Sequence, residues 1–113
     1  MPELTTITVA VVTEKEGAHL SAYFEALRDT VECEGVVVCD PSGTHFELAR
    51  KVLGEKLTAI FKDIQPMLMK AMPDMALVSM EGVNASPVIE QLLDAGVHIL
   101  AEKPACTTIA EFE

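Results

Sequence analysis

Apolar residues fall along this chain in short runs. Each run is followed by polar turn residues and then by apolar positions three and four apart. Ile7 to Val12 is continuous and mostly β-branched, which predicts a strand covered on both faces. After TEKEG, Leu20, Tyr23, Phe24 and Leu27 recur at helical spacing and predict an amphipathic helix over His19 to Arg28. Gly35 to Cys39 predicts the second strand. DPSGTH follows, and then a helix from Thr44 or His45 to Leu53 that Gly54 closes. Leu57 to Phe61 reads as the third strand, and KDIQP behind it places Pro66 near the first turn of a Met-rich helix to Met72, which Pro73 and Asp74 break. Met75 to Met80 is the fourth predicted strand, and Ser86 and Pro87 begin a helix through Ala95 that Gly96 ends. His98 to Ala101 is the fifth strand.

Strands alternating with helices at intervals of about twenty residues imply parallel pairing, and hence an α/β fold: a doubly wound, Rossmann-like parallel sheet with helices on both faces. No repeat beyond this structural one, no low-complexity segment and no linker interrupts the chain, so 113 residues read as one domain. In such sheets ligands sit outside the carboxyl ends of the strands, where the strand order reverses. The chemistry is therefore sought in the loops after each strand. A flavodoxin-like or receiver domain is the other fold of this layout. Glu14 and Glu16 would supply its acids after the first strand, but it leaves the turn after the fifth strand unaccounted for.

Charge narrows the partners. Eight basic against eighteen acidic residues give a formal charge of −10, which repels phosphate backbones and anionic lipid. No apolar run approaches the roughly 18 residues of a membrane span, and MPELTTITVA lacks the basic segment and apolar stretch of a signal peptide. A cytoplasmic protein without nucleic-acid or membrane partners is expected. Cys33, Cys39 and Cys106 show no metal or disulfide spacing and read as reduced, packed thiols.

Two loops carry candidate chemistry. After the first strand a dinucleotide site would want G-x-G-x-x-G, but Thr13 and Lys15 stand where the first two glycines would be, with Gly17 or Ala18 near the third. The fingerprint is missing. Glu14 and Glu16 add negative charge beside a helix N-terminus suited to an anion, and Lys15 offsets part of it. Asp40 follows the second strand directly, 27 positions after Thr13. There it can accept hydrogen bonds from an adenosine ribose and select against a 2′-phosphate, or it can serve as an Asx turn or cap for the next helix.

The segment from Pro73 to Glu113, with the tripeptide Glu102-Lys103-Pro104 after DAGVHIL and TTIAEFE behind it, resembles the nucleotide-binding half of the glucose-fructose oxidoreductase, inositol dehydrogenase and rhizopine-catabolism (Gfo/Idh/MocA) family. VVVCDPSGTHFELARKV is similar as well, so the two segments cover 58 of the 113 residues. It implies an NAD(P)-dependent oxidoreductase acting on a sugar, polyol or related compound. NAD is favoured over NADP, because no Arg or Lys follows Asp40 closely. The resemblance makes Lys103 the catalytic residue, near the nicotinamide ribose and the substrate hydroxyl, where an ammonium can stabilise developing charge. Glu102 and Pro104 shape its turn. Thr13, Lys15, Gly17, Asp40 and Met80 complete the expected cofactor contacts.

The chain also departs from that pattern. Relatives commonly carry a Thr-Pro turn and a histidine after the fourth strand, where this chain has Met80, Glu81, Gly82, Val83, Asn84 and Ala85. A second reading follows: a Rossmann-like scaffold or interaction domain that has lost its cofactor. His19, His45 and His98 read as a helix N-terminal residue, a helix-start residue and a strand-start residue, so no metal site is expected. Met67, Met69, Met72, Met75 and Met80 read as adaptable core filling. Thr108 and Glu111 have capping-box spacing at the start of a helix that Glu113 cuts short. Relatives continue into a second α/β domain with the substrate pocket, further acid-base residues and an oligomer interface. The chain is therefore expected to be truncated before that domain, to turn over no substrate alone, and to form any homo-oligomer through the domain it lacks.

Overall fold

The structure, a computed structural model, describes residues 6–15, 17, 19–80 and 82–101. Its elements follow the predicted alternation: β1 (Ile7–Thr13), α1 (Leu20–Asp29), β2 (Cys33–Cys39), α2 (Phe46–Leu53), a 3-10 turn (Gly54–Lys56), β3 (Leu57–Phe61), α3 (Ile64–Ala71), β4 (Met75–Ser79), α4 (Gly82–Asp94) and β5 (His98–Ala101). The five strands form one sheet in the order β3-β2-β1-β4-β5, and every pairing is parallel. This order, in which the chain leaves β1 in one direction and returns on its other side at β4, is that of the Rossmann sheet. It separates the chain from the flavodoxin-like order, in which β1 lies between β2 and β3.

The continuous strands are explained by where their alternate side chains go. Val9, Val11, Val36 and Val38 pack on one face with Leu20 and Phe24 of α1 and Phe46, Ala49 and Leu53 of α2. Ala10, Val12, Val37, Cys39, Ala76 and Val78 pack on the other with Met67 of α3 and Ala85 and Leu92 of α4. Since both faces of β1 and β2 are covered, neither alternate position has to be polar. Each fully buried large side chain, such as Phe24 or Met67, contributes about 1.5–3 kcal/mol relative to exposure.

Two expectations need correction. α4 begins at Gly82, four residues before Ser86, and Pro87 lies inside it. The apolar face of Ala85, Val88, Ile89 and Leu92, at helical spacing against the sheet, carries the helix through the proline. As the sixth residue of the helix, Pro87 lies just past the four free N–H groups of the first turn and removes one bond of the ladder. The methionines also divide. Met67 is buried and Met75 and Met80 are partly buried against the core, but Met69 and Met72 are 78% and 75% exposed. α3 turns Met67 toward the sheet and Met69 away from it, and Met72 is the left-handed residue that ends the helix. At the other end of the layer Gly96, with φ 78°, reverses the chain after α4 in a conformation that glycine adopts without strain.

Lys56 closes α1 from outside the helix. Its Nζ donates to the carbonyls of Leu27, Arg28 and Thr30 at 3.0, 2.8 and 2.8 Å, which satisfies carbonyls that the helix end leaves open. Among the described residues no helix is long and apolar enough to cross a membrane.

Candidate functional site

The strand order fixes where a ligand would sit. α1 leaves β1 toward one face of the sheet and α4 leaves β4 toward the other, so the carboxyl ends of these neighbouring strands border a crevice. Thr13 ends β1 and pairs with Ser79 at the end of β4. Its side chain is fully buried, and Oγ1 donates to the Ser79 carbonyl at 2.7 Å, which ties the two strand ends together.

The loop after β1 packs down on this tie. The amide of Gly17 donates to the carbonyl of Glu14 at 2.9 Å and closes a turn over 14–17. A Cβ on Gly17 would collide with Thr13 Oγ1 and stand 3.0 Å from the Ser79 carbonyl oxygen. Gly17 thus permits a close approach of loop backbone to the strand ends, although only this one glycine of the fingerprint positions is present. Lys15 projects at the exposed tip. His19, with φ 60°, makes the left-handed entry to α1.

Two side chains hold this loop from opposite sides. From the start of α2, His45 Nε2 lies 3.0 Å from the Glu14 carbonyl oxygen and 3.2 Å from that of Lys15. A carbonyl can only accept, so Nε2 carries the proton. From the first turn of α4, Asn84 Nδ2 donates to Glu14 Oε1 at 2.9 Å, directly across the crevice.

Asp40 ends β2 at 0% exposure. One carboxylate oxygen accepts from the Ser42 amide at 2.9 Å and the Ser42 hydroxyl at 2.6 Å, and the other accepts from the His45 amide at 3.1 Å. This is the Asx turn and helix cap named above as one of its two readings. Burial by itself pushes the Asp40 carboxyl up, but the hydrogen bonds from Ser42 and His45 outweigh it and hold the carboxyl below its usual value. Cys39, one residue earlier, is buried without such donors. Burial, with the nearby Asp63 and Asp40 carboxylates, pushes its thiol up to about 12, while burial also raises Cys33.

Of the residues expected at the site, Thr13, Lys15 and Gly17 come together at the end of β1. Asp40 stands at the next strand end along the same edge, that of β2, and Met80 flanks β4, packed partly against the core. Glu102, Lys103 and Pro104 lie outside the described residues, as does the capping-box segment. His45, Ser79 and Asn84 were missed: they lie 31, 66 and 70 positions from their partners in this loop, and no local pattern marks them.

The oxidoreductase family with an NAD-binding Rossmann fold (Gfo/Idh/MocA) matches residues 55–113, more than half of the chain. The chain belongs to this family. The family match runs from the 3-10 turn through β5 to the last residue and includes the Glu102-Lys103-Pro104 tripeptide. Solved structures extend the likeness to the strands before it. An oxidoreductase from Agrobacterium radiobacter, in complex with NAD+, L-tartaric acid and magnesium, superposes with a TM-score of 0.80 at 15% identity, over 95% of this chain and 30% of that one. Scyllo-inositol dehydrogenase from Lactobacillus casei, with bound NAD(H) and scyllo-inositol, gives 0.75 at 21% identity over 95% and 31%. UDP-N-acetylglucosamine 3-dehydrogenase from Acidithiobacillus ferrooxidans gives 0.62 at 24% identity over 94% and 32%. At these identities the likeness shows the fold, and the chain spans about a third of the length of each relative. No curated protein matches the sequence.

Proposed function

We propose that this chain is the nucleotide-binding half of an NAD-dependent oxidoreductase acting on a sugar, a polyol or a related compound. The observation that carries the reading is the crevice between β1 and β4 in a chain of an NAD-binding family. Gly17, where a Cβ would collide with Thr13, lets the loop pack down on the strand ends and sets its backbone at the entry to α1, where a pyrophosphate would sit. When bound, the nicotinamide would supply the hydride acceptor. The chain's own residues bind and orient it. The loop backbone around Gly17 and the Lys15 ammonium would hold the pyrophosphate, Asp40 would shape the turn at the adenosine ribose, Met80 would contribute to the cofactor site, and Lys103 would balance charge at the substrate hydroxyl. A second α/β domain would complete the substrate pocket. That the A. radiobacter and L. casei relatives were crystallised with tartaric acid and scyllo-inositol supports a polyhydroxylated substrate class.

The test is a fluorescence titration of the chain with NADH and NADPH, repeated with Lys103→Ala. Saturable NADH binding that is tighter than NADPH binding and weakened by the substitution is the expected result. No binding up to millimolar cofactor, by the chain and by its Glu14→Gln variant alike, would refute it and leave the scaffold reading, which the Glu14 carboxylate at the crevice favours.

A further inference from the structure

Resting on that reading, we propose that Glu14 gates cofactor affinity: its carboxylate, bonded across the crevice to Asn84, is an internal anion that a dinucleotide pyrophosphate must displace. The bond joins the loop after β1 to the first turn of α4, the two lips of the crevice. Both α1 and α4 point their N-termini at this opening, where their partial positive charge favours an anion. The Glu14 carboxylate lies at the first turn of α4 through its bond with Asn84. An incoming pyrophosphate meets a carboxylate of its own sign at an exposed contact, where salt screens the repulsion.

The backbone contributes as well. His45 fixes the carbonyls of Glu14 and Lys15 toward α2, so the loop does not swing Glu14 away as a unit. Rotation of the Glu14 side chain, which breaks the contact with Asn84, opens the crevice. This chain is therefore expected to bind the dinucleotide weakly in comparison with its own charge-neutralised variant.

The experiment measures NADH affinity of the chain, Glu14→Gln and Asn84→Ala by fluorescence at low and high NaCl, with circular dichroism to verify each fold. Glu14→Gln keeps the reach and the hydrogen bond but removes the charge. It should tighten binding about tenfold at low salt, the factor that about 1.4 kcal/mol makes in an equilibrium constant, and the gain should shrink at high salt. Asn84→Ala removes the bond that holds the carboxylate across the crevice and should tighten binding about threefold. Binding by the wild-type chain that Glu14→Gln leaves unchanged or weakens would overturn the gate and leave the proposed function standing. Absence of binding by all three proteins would overturn both.

Discussion

Asp40→Asn separates the two roles that this carboxylate can have. In the structure its oxygens accept three hydrogen bonds, two from Ser42 and one from the His45 amide, at 0% exposure. The amide of Asn is nearly the same size, but one of its two ends is a donor. Whichever way it is turned, an NH2 faces either the Ser42 pair or the His45 amide, and the charge that strengthened the remaining bonds is gone. A hydrogen bond to a charged group contributes about 1.5–3 kcal/mol, and a buried donor left unpaired costs about 1–3 kcal/mol. Partial relaxation of an exposed turn lowers the sum, so about 2–4 kcal/mol is expected, a large fraction of the 5–15 kcal/mol that usually stabilises a domain. The pH dependence carries the sign. Because the folded carboxyl is held below its unfolded value of about 3.9, its contribution is fully present above that pH and is lost as pH falls through the folded value. Urea unfolding followed by circular dichroism at pH 7 and at pH 3 measures both effects. The variant should be less stable at pH 7, and the gap should narrow at pH 3. Equal midpoints at pH 7, or a gap that widens on acidification, would refute the reasoning.

Further outcomes follow from other parts of the fold. Lys56→Met removes the ammonium that caps the carbonyls of Leu27, Arg28 and Thr30 and should lower stability by about 1–2 kcal/mol in urea unfolding, since the freed carbonyls can take up water; an unchanged midpoint would count against the cap. Gly17→Ala drives a Cβ into Thr13 Oγ1 and should cost about 1–3 kcal/mol. Thr13→Ala should relieve part of that cost in a double-mutant cycle, and strict additivity of the two changes would show that they do not touch. With Cys106 replaced by Ser, the two buried thiols should resist a thiol-specific reagent at pH 8 in the native chain and react in urea, because a thiol pushed up to about 12 holds only about one thiolate in ten thousand at that pH; rapid native labelling would contradict the burial of Cys39.

The order and type of the elements were legible because each rests on a local cause. β-branched runs of even burial become interior strands, the 20, 23, 24, 27 spacing becomes α1, and Gly96 ends α4. The α4 start was misplaced for a local reason too: Ser86-Pro87 reads as a helix entry. Only the packing of Ala85 against the sheet shows that the helix is already one turn old there. Likewise, Met67 and Met69 belong to one short helix, and the side that meets a sheet is decided by the sheet.

By itself the sequence determined a doubly wound α/β domain, a candidate loop after each strand, and an Asp40 suited to a turn. These follow from periodicity, turn chemistry and the resemblance in the second half of the chain. Tertiary structure decided what the loops can do. It put β4 beside β1 and so made the crevice, buried Asp40 among donors from its own turn, and placed Thr13 on Ser79, His45 on the loop carbonyls and Asn84 on Glu14. Those partners are separated by dozens of residues, and a side chain's hydrogen-bond partner across such a distance is set by strand order and register. Neither is encoded at any single position of the chain.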